Sequence, residues 1–367
     1  MTSADRCVLL AAGGTGGHLF PAEALANELS RRGVAVELVT DERALRYGQH
    51  FPARAVHAIT SATPTGGSVF SKAAAVVKLA IGTLQARALI RKLKPACVVG
   101  FGGYPTAPPI VAASLAGVPA ILHEQNAVMG RANRFLAARV RRIATGFPRL
   151  DGAAAEIAAK TIHTGNPVRP AVIEASQTPY PSFADGILRI LVTGGSQGAR
   201  VMADVVPAAV AALPPDLRAR VSIVQQARGE DEARVREAYA RLGVDADVAP
   251  FFKDLPQRIA GAHFVISRAG ASTVCELAVI GRPAILVPYP FALDQDQAAN
   301  AAELAESGAV TVIRQTDFTP DRLSAEIFGA FQDPEGLTRR AAAAKSAGVP
   351  DAATRLADLV MATARPG

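Results

Sequence analysis

Residues 13–18 read Gly13-Gly14-Thr15-Gly16-Gly17-His18, and residues 194–199 read Gly194-Gly195-Ser196-Gln197-Gly198-Ala199. Each stretch follows a short apolar run and precedes a segment with helical periodicity. Glycine-rich turns between a strand and a helix expose backbone N–H groups to an anion at the positive end of the helix. Because this arrangement occurs twice, the sequence predicts a chain built from two copies of one plan.

Short apolar runs alternate with helical segments in both halves of the chain, which predicts an α/β fold with parallel sheets covered on both faces. The predicted strands are 7–12, 34–39, 96–99 and 120–122 in the first half, and 188–193, 221–224, 263–266 and 284–287 in the second. Pro21 is expected to start a helix, and Gly281 to end one that begins near Ser272. Two helices are expected after Leu337, separated at Pro350.

The composition suits two domains: the chain has 367 residues, half of them hydrophobic. It shows neither an uninterrupted run of about 20 apolar residues nor the pattern of a signal peptide. Cys7, Cys97 and Cys275 form no Cys-x-x-Cys pair, which favours reduced, buried thiols over a disulfide, a metal site or a nucleophile.

The positive charge is concentrated in one segment. Residues 43–123 contain nine Lys and Arg residues and no Asp or Glu, which gives +9 against +7 for the whole chain. Such a segment attracts phosphates, nucleic acid or an anionic membrane, and a solvated basic face is the alternative.

Three features have side chains suited to catalysis or sugar binding. His18 lies at a predicted helix start, where a neutral imidazole suits a general base, and a bond to the backbone is the alternative. Thr273 and Glu276 lie one helical turn apart and could bind a ribose diol, unless the glutamate faces solvent. The run 294–297 (Asp-Gln-Asp-Gln) could bind a metal, but hydrogen bonds to sugar hydroxyls are favoured.

Two functions of other classes fit less well. A nicotinamide-dependent oxidoreductase would need G-x-G-x-x-G, but Leu19 stands where the third glycine belongs, and the second loop departs earlier. A P-loop is excluded because no Gly-Lys-Ser/Thr closes either loop. A nucleic-acid binder is suggested only by charge, and the basic segment lacks interleaved aromatic residues.

The motifs together resemble those of the bacterial family that transfers N-acetylglucosamine from UDP-N-acetylglucosamine to a lipid-linked muramyl-pentapeptide in peptidoglycan synthesis. The matching segments, in family order, are 13–22, 102–104, 123–126, 165–169, 194–200 and 268–276. Segments 102–104 and 123–126 argue against a related UDP-sugar transferase that acts on diacylglycerol. The resemblance implies two Rossmann-like domains that face each other across a cleft, the GT-B glycosyltransferase fold. The implied divisions are an acceptor domain (1–165), a linker (166–186), a UDP-sugar domain (187–349) and a final helix (350–367) that returns to the first domain.

The resemblance also assigns roles to individual residues. In the second domain it implies Ser196 at the diphosphate, the backbone of Phe252 at the uracil and Gln297 at the sugar hydroxyls. The implied diphosphate and ribose contacts are Ala271, Ser272, Thr273, Val274, Cys275 and Glu276. The implied donor contacts from elsewhere are Thr15, Gly16, Gly17, Asn126 and Arg169.

The implied reaction is attack of the acceptor's C4 hydroxyl on the anomeric carbon with inversion, which converts lipid I to lipid II. His18 is the favoured general base, with Glu124 as the second candidate. No cofactor and no metal are expected if backbone N–H groups and a helix dipole stabilise the leaving UDP. The acceptor is membrane-anchored, so the mixed apolar and basic stretch 69–93 is predicted to rest on the anionic inner membrane, at its cytoplasmic face, or else to be a core helix.

Overall fold

The computed structural model describes residues 7–13, 16–41, 51–62, 69–195, 198–292 and 296–364, excluding the side chains of Val69 and Phe70. The chain divides into two units. Unit 1 comprises Met1–Arg169 and Pro350–Gly367, and unit 2 comprises Pro170–Val349.

Among the described residues, unit 1 contains a parallel sheet of seven strands in the order β3-β2-β1-β4-β5-β6-β7. Its strands are β1 Cys7–Ala11, β2 Ala35–Thr40, β3 Ala55–Ala58, β4 Cys97–Gly100, β5 Ala120–Glu124, β6 Arg142–Thr145 and β7 Thr161–His163. Its helices are α1 Gly16–Arg31, α2 Val69–Leu93, α3 Ala107–Leu115, α4 Arg131–Leu136 and α5 Ala155–Ala158. Alternate residues of β1 face opposite sides, so that Leu10 packs toward α1 and Leu9 toward α2 and α3.

Unit 2 repeats the plan with six described strands in the order β10-β9-β8-β11-β12-β13. They are β8 Leu188–Thr193, β9 Val221–Gln226, β10 Asp245–Ala249, β11 Phe264–Ser267, β12 Ala284–Leu286 and β13 Val310–Val312. The helices are α6 Pro170–Ala175, α7 Arg200–Ala211, α8 Pro215–Arg218, α9 Gly229–Leu242, α10 Leu255–Gly261, α11 Ala271–Ile280, α12 Asp296–Glu306, α13 Pro320–Gln332 and α14 Pro334–Ala347. The last helix, α15 Ala352–Thr363, belongs to unit 1 and packs on α1 through Leu356, Ala357 and Val360.

The two predicted parallel sheets and the paired strand–loop–helix plan are confirmed. Gly281 ends α11 in the left-handed conformation with φ 77°, as expected. Pro350 lies between the two final helices, also as expected.

Two local predictions were wrong. The helix expected to start at Pro21 begins at Gly16, so Pro21 lies inside α1 and the carbonyl of Gly17 lacks its usual helical donor. The strand expected to end at Leu122 continues through Glu124, so His123 and Glu124 are buried strand residues rather than loop residues.

The segment that follows α6 packs against the rest of unit 2. Tyr180 donates a hydrogen bond to the carbonyl of His263 at 2.7 Å, and the Phe183 ring stacks on the His263 ring. Arg282, 2% exposed, donates to the carbonyls of Pro179 and Ala260. The predicted linker 166–186 therefore contains helix α6 and a well-packed strap on unit 2.

Candidate active site

His18 lies beside the loop that follows β4. The strand order places the carboxyl ends of β1 and β4 side by side. Strands β2 and β3 are added on one side of β1 and strands β4 to β7 on the other, so this is the topological switch point of the sheet. The loop residues Gly102 and Gly103 have φ of 83° and 74°, and a Cβ on Gly102 would lie 3.3 Å from His18 Nε2. Glycine is therefore needed here both for the backbone conformation and for the approach of the imidazole.

The imidazole of His18 is suited to accept a proton. Burial lowers its pKa from 6.5, and a hydrogen bond to the backbone of Gly13 partly opposes that shift. A lowered pKa leaves the ring neutral at neutral pH, which is the state that a general base requires. His18 therefore has both the hydrogen bond to the backbone that the alternative interpretation predicts and the lowered pKa that a general base needs.

Glu124 holds the loop that follows β5. Its Oε1 accepts from the N–H of Asn126 at 3.1 Å, and its Oε2 accepts from the N–H of Gly130 at 3.0 Å and from Asn133 Nδ2 at 2.7 Å. Burial raises the pKa of this carboxyl, and the donors lower it. The carboxylate is 2% exposed, so its geometry fits a holder of the loop better than an exchangeable proton acceptor.

His123 is buried beside Glu124 and its ring has a defined protonation state. Nε2 donates to the carbonyl of Gly165 at 3.2 Å, while Nδ1 accepts from Gln125 Nε2 at 3.0 Å. Burial lowers the pKa of His123 to about 4, so the ring is neutral. It links β5 to the turn at 165–167 and serves the structure of this site.

The second glycine loop of unit 2 begins at the end of β8, next to the end of β11. Gly195 and Gly198 have φ of 79° and 65°, and a Cβ on Gly194 would lie 2.1 Å from the backbone nitrogen of Ala199. Gly194 and Ala199 thus lie close together, and the N–H of Gly198 donates to the carbonyl of Gly195 at 3.1 Å. Thr193 Oγ1 accepts from the N–H of Gly195 at 3.3 Å.

Helix α11 starts at Ala271, directly after β11, and carries six of the predicted donor contacts. Glu276 is 6% exposed, so the alternative of a solvent-facing glutamate is wrong. The helix start offers free N–H groups and the positive end of the dipole. Phe252 has a buried ring, 8% exposed, with the Arg258 guanidinium 4.2 Å above it, so a ligand at this residue would meet its backbone.

Two side-chain amides of α12, those of Gln297 and Asn300, bind neighbouring loops. Gln297 Oε1 accepts from the N–H of Tyr289 at 3.0 Å, and Asn300 Nδ2 donates to the carbonyl of Ala269 at 3.3 Å. Arg268 supports the same loops through bonds to the carbonyl of Val287 and to Gln315 Oε1. The bond to Tyr289 uses only the oxygen of the Gln297 amide. A contact with sugar hydroxyls would use its nitrogen.

The remaining predicted residues are distributed as follows. Thr15 and Ser196 lie outside the described residues. Gly16 and Gly17 form the first turn of α1, and Asn126 is part of the Glu124 loop. Arg169 lies at the end of unit 1, with its guanidinium 4.4 Å over the ring of Phe20.

Sequence reasoning missed three polar residues that organise the loops: the buried Asn133 and Gln226 and the half-buried Arg268. Arg268 was within a quoted motif, but its partners lie 19 to 47 positions away. A signal was available for Gln226, since it ends an apolar run directly before a turn.

The glycosyltransferase family 28 N-terminal domain matches residues 8–145, and the glycosyltransferase family 28 C-terminal domain matches residues 189–356. The chain belongs to glycosyltransferase family 28.

Relatives place the chain within one branch of glycosyltransferase family 28. A UDP-N-acetylglucosamine--N-acetylmuramyl-(pentapeptide) pyrophosphoryl-undecaprenol N-acetylglucosamine transferase of Methylorubrum extorquens is 59% identical over 366 residues, 99% of each chain. The transferase of the same name from Brucella suis is 58% identical over 97% of this chain and 94% of its own. The crystal structure of Acinetobacter baumannii MurG, 30% identical, has a TM-score of 0.78 and covers 97% of this chain and 99% of its own. The predicted family resemblance is therefore confirmed, and the chain is a member of the MurG family.

A more distant structure shares the fold alone. The UDP-GlcNAc 2-epimerase of Neisseria meningitidis, solved with UDP-GlcNAc bound, is 13% identical with a TM-score of 0.68, and covers 97% of this chain and 100% of its own. The chain belongs to glycosyltransferase family 28, so the predictions of an oxidoreductase or a nucleic-acid binder are excluded. The chain is a UDP-sugar-dependent enzyme.

Proposed function

We propose that the chain transfers N-acetylglucosamine from UDP-N-acetylglucosamine to the C4 hydroxyl of undecaprenyl-pyrophosphoryl-N-acetylmuramyl-pentapeptide, the intracellular step of peptidoglycan synthesis that converts lipid I to lipid II. The observation that carries this proposal is the 59% identity over 99% of the chain to a transferase of that name. The described geometry supports it, because each unit has a glycine loop and a helix start at the carboxyl edge of its sheet.

The chemistry follows from the groups in each unit. The C4 oxygen forms a bond to the anomeric carbon while its proton passes to the ring nitrogen of His18 that does not bond to Gly13. The bond from the anomeric carbon to the diphosphate oxygen breaks, and its electron pair leaves with UDP. Attack opposite the leaving group inverts the anomeric configuration. The N–H groups at the start of α11, with the positive end of its dipole, stabilise the negative charge of UDP.

Donor recognition in this scheme uses unit 2. Ser196 contacts the diphosphate, residues 271–276 contact the diphosphate and ribose, and the backbone of Phe252 contacts the uracil. Gln297 donates its amide hydrogens to the sugar hydroxyls. Glu276 suits the ribose because a buried carboxylate can accept hydrogen bonds from both vicinal hydroxyls.

Transfer of label tests this function. Radiolabelled UDP-N-acetylglucosamine and a lipid-linked muramyl acceptor are incubated with the protein, and label is counted in the lipid phase. We expect transfer by the unaltered chain and its loss in His18→Ala and Glu276→Ala, with the affinity for UDP retained only in His18→Ala. Absence of lipid-borne label with the unaltered chain would refute the proposal.

We also propose that unit 1 rests on the membrane surface through the outer face of α2, α3 and α4. By length and composition alone, Ser71–Leu93 could also cross a bilayer. Its stripe of Ala75, Gly82, Ala86 and Ile90 faces the protein interior, and a Cβ on Gly82 would lie 2.0 Å from the carbonyl oxygen of Thr60. Packing this close fits a helix that lies on unit 1 rather than one that leaves it.

The opposite side of α2 presents apolar and basic groups together. Its exposed apolar side chains are Val76, Val77, Ile81 and Leu84, between 45% and 67% exposed. Leu115 at the end of α3 and Phe135 on α4 are 65% and 62% exposed. The exposed basic side chains of residues 72–94 and 131–142 are Lys72, Lys78, Arg87, Arg91, Lys92, Lys94, Arg131, Arg134, Arg139, Arg141 and Arg142. Apolar groups flanked by cations suit the interface of an anionic bilayer, where each cation adds about 1 kcal/mol of binding.

Vesicle sedimentation tests the surface. We expect binding to vesicles with anionic lipid to exceed binding to neutral vesicles, and to fall in the double variant Val77→Ser, Leu84→Ser. The matched control is Phe328→Ser, which removes a 43% exposed apolar side chain from α13 in unit 2. Equal binding to both vesicle types would refute the electrostatic part, and equal binding by both variants would refute the location.

A further inference from the structure

Gln226 connects two loops that the proposed function assigns to different parts of the nucleotide. It is the last residue of β9, the strand between β8 and β10, and it is 7% exposed. Its Oε1 accepts from Thr193 Oγ1 at 2.9 Å and from the N–H of Gly194 at 3.1 Å. Its Nε2 donates to the carbonyl of Pro250 at 3.3 Å.

The Gln226 amide binds the main chain at two positions, Gly194 and Pro250. Gly194 opens the tight glycine loop, where even a methyl group would collide with the backbone of Ala199. Pro250 directly precedes the segment that ends at Phe252. Only an amide satisfies both sides, because Oε1 must accept two protons while Nε2 must donate one.

We propose that Gln226 is a positioning residue that sets the separation between the 194–199 loop, which the proposed function assigns to the diphosphate, and the backbone at Phe252, which it assigns to the uracil. This inference rests on the proposed function. UDP spans both loops, so its affinity requires the two sets of backbone groups to be placed together. Loss of the bridge leaves each loop intact but lets their spacing change.

The neighbouring residue offers a matched control. Gln225 is also a buried glutamine of β9, and its side chain points to the other face of the sheet. There it donates to the carbonyl of Met202 at 3.2 Å and accepts from the Tyr239 hydroxyl. Gln225→Leu therefore removes the same kind of buried bonds without touching either nucleotide loop.

The test measures the Kd of UDP by titration calorimetry, the KM values of both substrates and the urea midpoint. For Gln226→Leu we expect Kd and the KM of UDP-N-acetylglucosamine to rise about 10- to 100-fold, the factor that lost buried hydrogen bonds produce, with the KM of the lipid acceptor unchanged. For Gln225→Leu we expect a lower urea midpoint and an unchanged Kd.

A second variant separates a loss of UDP binding from a loss of folding. Gln226→Glu keeps both acceptor contacts but places an oxygen against the carbonyl of Pro250, so it should weaken UDP binding in the same direction. Unchanged Kd values in both Gln226 variants would overturn this inference and leave the proposed function standing. No binding of UDP by the unaltered chain would overturn both.

Discussion

Replacement of Gly102 by alanine tests whether the position of His18 governs catalysis. The new Cβ would lie 3.3 Å from His18 Nε2 and 3.4 Å from Asn133 Nδ2, so these groups must move by a few tenths of an ångström. Alanine at φ 83° also strains the backbone by about 1–2 kcal/mol. The variant thus combines a general cost in stability with a specific displacement of the imidazole.

Gly152→Ala separates the two effects. Gly152 also lies in unit 1 with φ 72°, but a Cβ there would meet no heavy atom within 4 Å. We expect both variants to lose similar amounts of unfolding free energy. Only Gly102→Ala should lose turnover, by about tenfold, because displacement of a catalytic group by 1 Å costs on the order of 100-fold and the shift here is smaller.

The assay combines kcat from label transfer at saturating substrate with unfolding in urea. In a His18→Ala background, the Gly102→Ala change should cause a much smaller further loss of the residual kcat, since the imidazole is absent and only Asn133 is left to be displaced. Equal kcat in the Gly102 and Gly152 variants would show that catalysis does not depend on how His18 is placed. An undiminished loss in the His18→Ala background would assign the effect to another group.

Three further outcomes are expected. The kcat/KM value should rise with pH with a midpoint below pH 6.5, because burial lowers the pKa of His18 from that value and the ring must be neutral; activity that increases on acidification would contradict this. Turnover should persist in EDTA, and a complete loss that Mg²⁺ restores would show that a metal assists departure of UDP. Asn133→Leu should lower kcat without abolishing UDP binding, since Asn133 supports Glu124 in unit 1, and retained kcat would remove that loop from catalysis.

Local sequence predicted the apolar centres of the strands but not their polar ends. The apolar run 221–224 predicts a strand that stops before two glutamines, yet Gln225 and Gln226 complete β9 in the sheet. His123 and Glu124 extend β5 in the same way. Polar side chains can continue a buried strand when partners from distant segments satisfy them, and those partners cannot be read from a local pattern.

Edge strands were missed for a related reason. β10 contains Asp245 and Asp247, and β7 is Thr161–His163, so neither has an apolar run to detect. Each lies at the edge of its sheet, where one side of the strand meets solvent. The glycine motifs, in contrast, were readable because a tight approach or a positive φ permits little but glycine.

The acid limb of the pH profile needs a variant to assign it, because two groups in unit 1 have pKa values that burial shifts in opposite directions. Burial lowers the pKa of His18 and raises that of Glu124. Both shifts predict loss of activity on acidification: His18 becomes protonated and cannot accept a proton, while Glu124 becomes neutral and weakens its hold on the loop at 126–130.

Glu124→Gln removes the second titration but also places an amide N–H against a donor, so its kcat should fall at every pH. If His18 is the base, the acid limb remains in Glu124→Gln. A profile that becomes flat in that variant would instead make Glu124 the group whose ionisation catalysis requires.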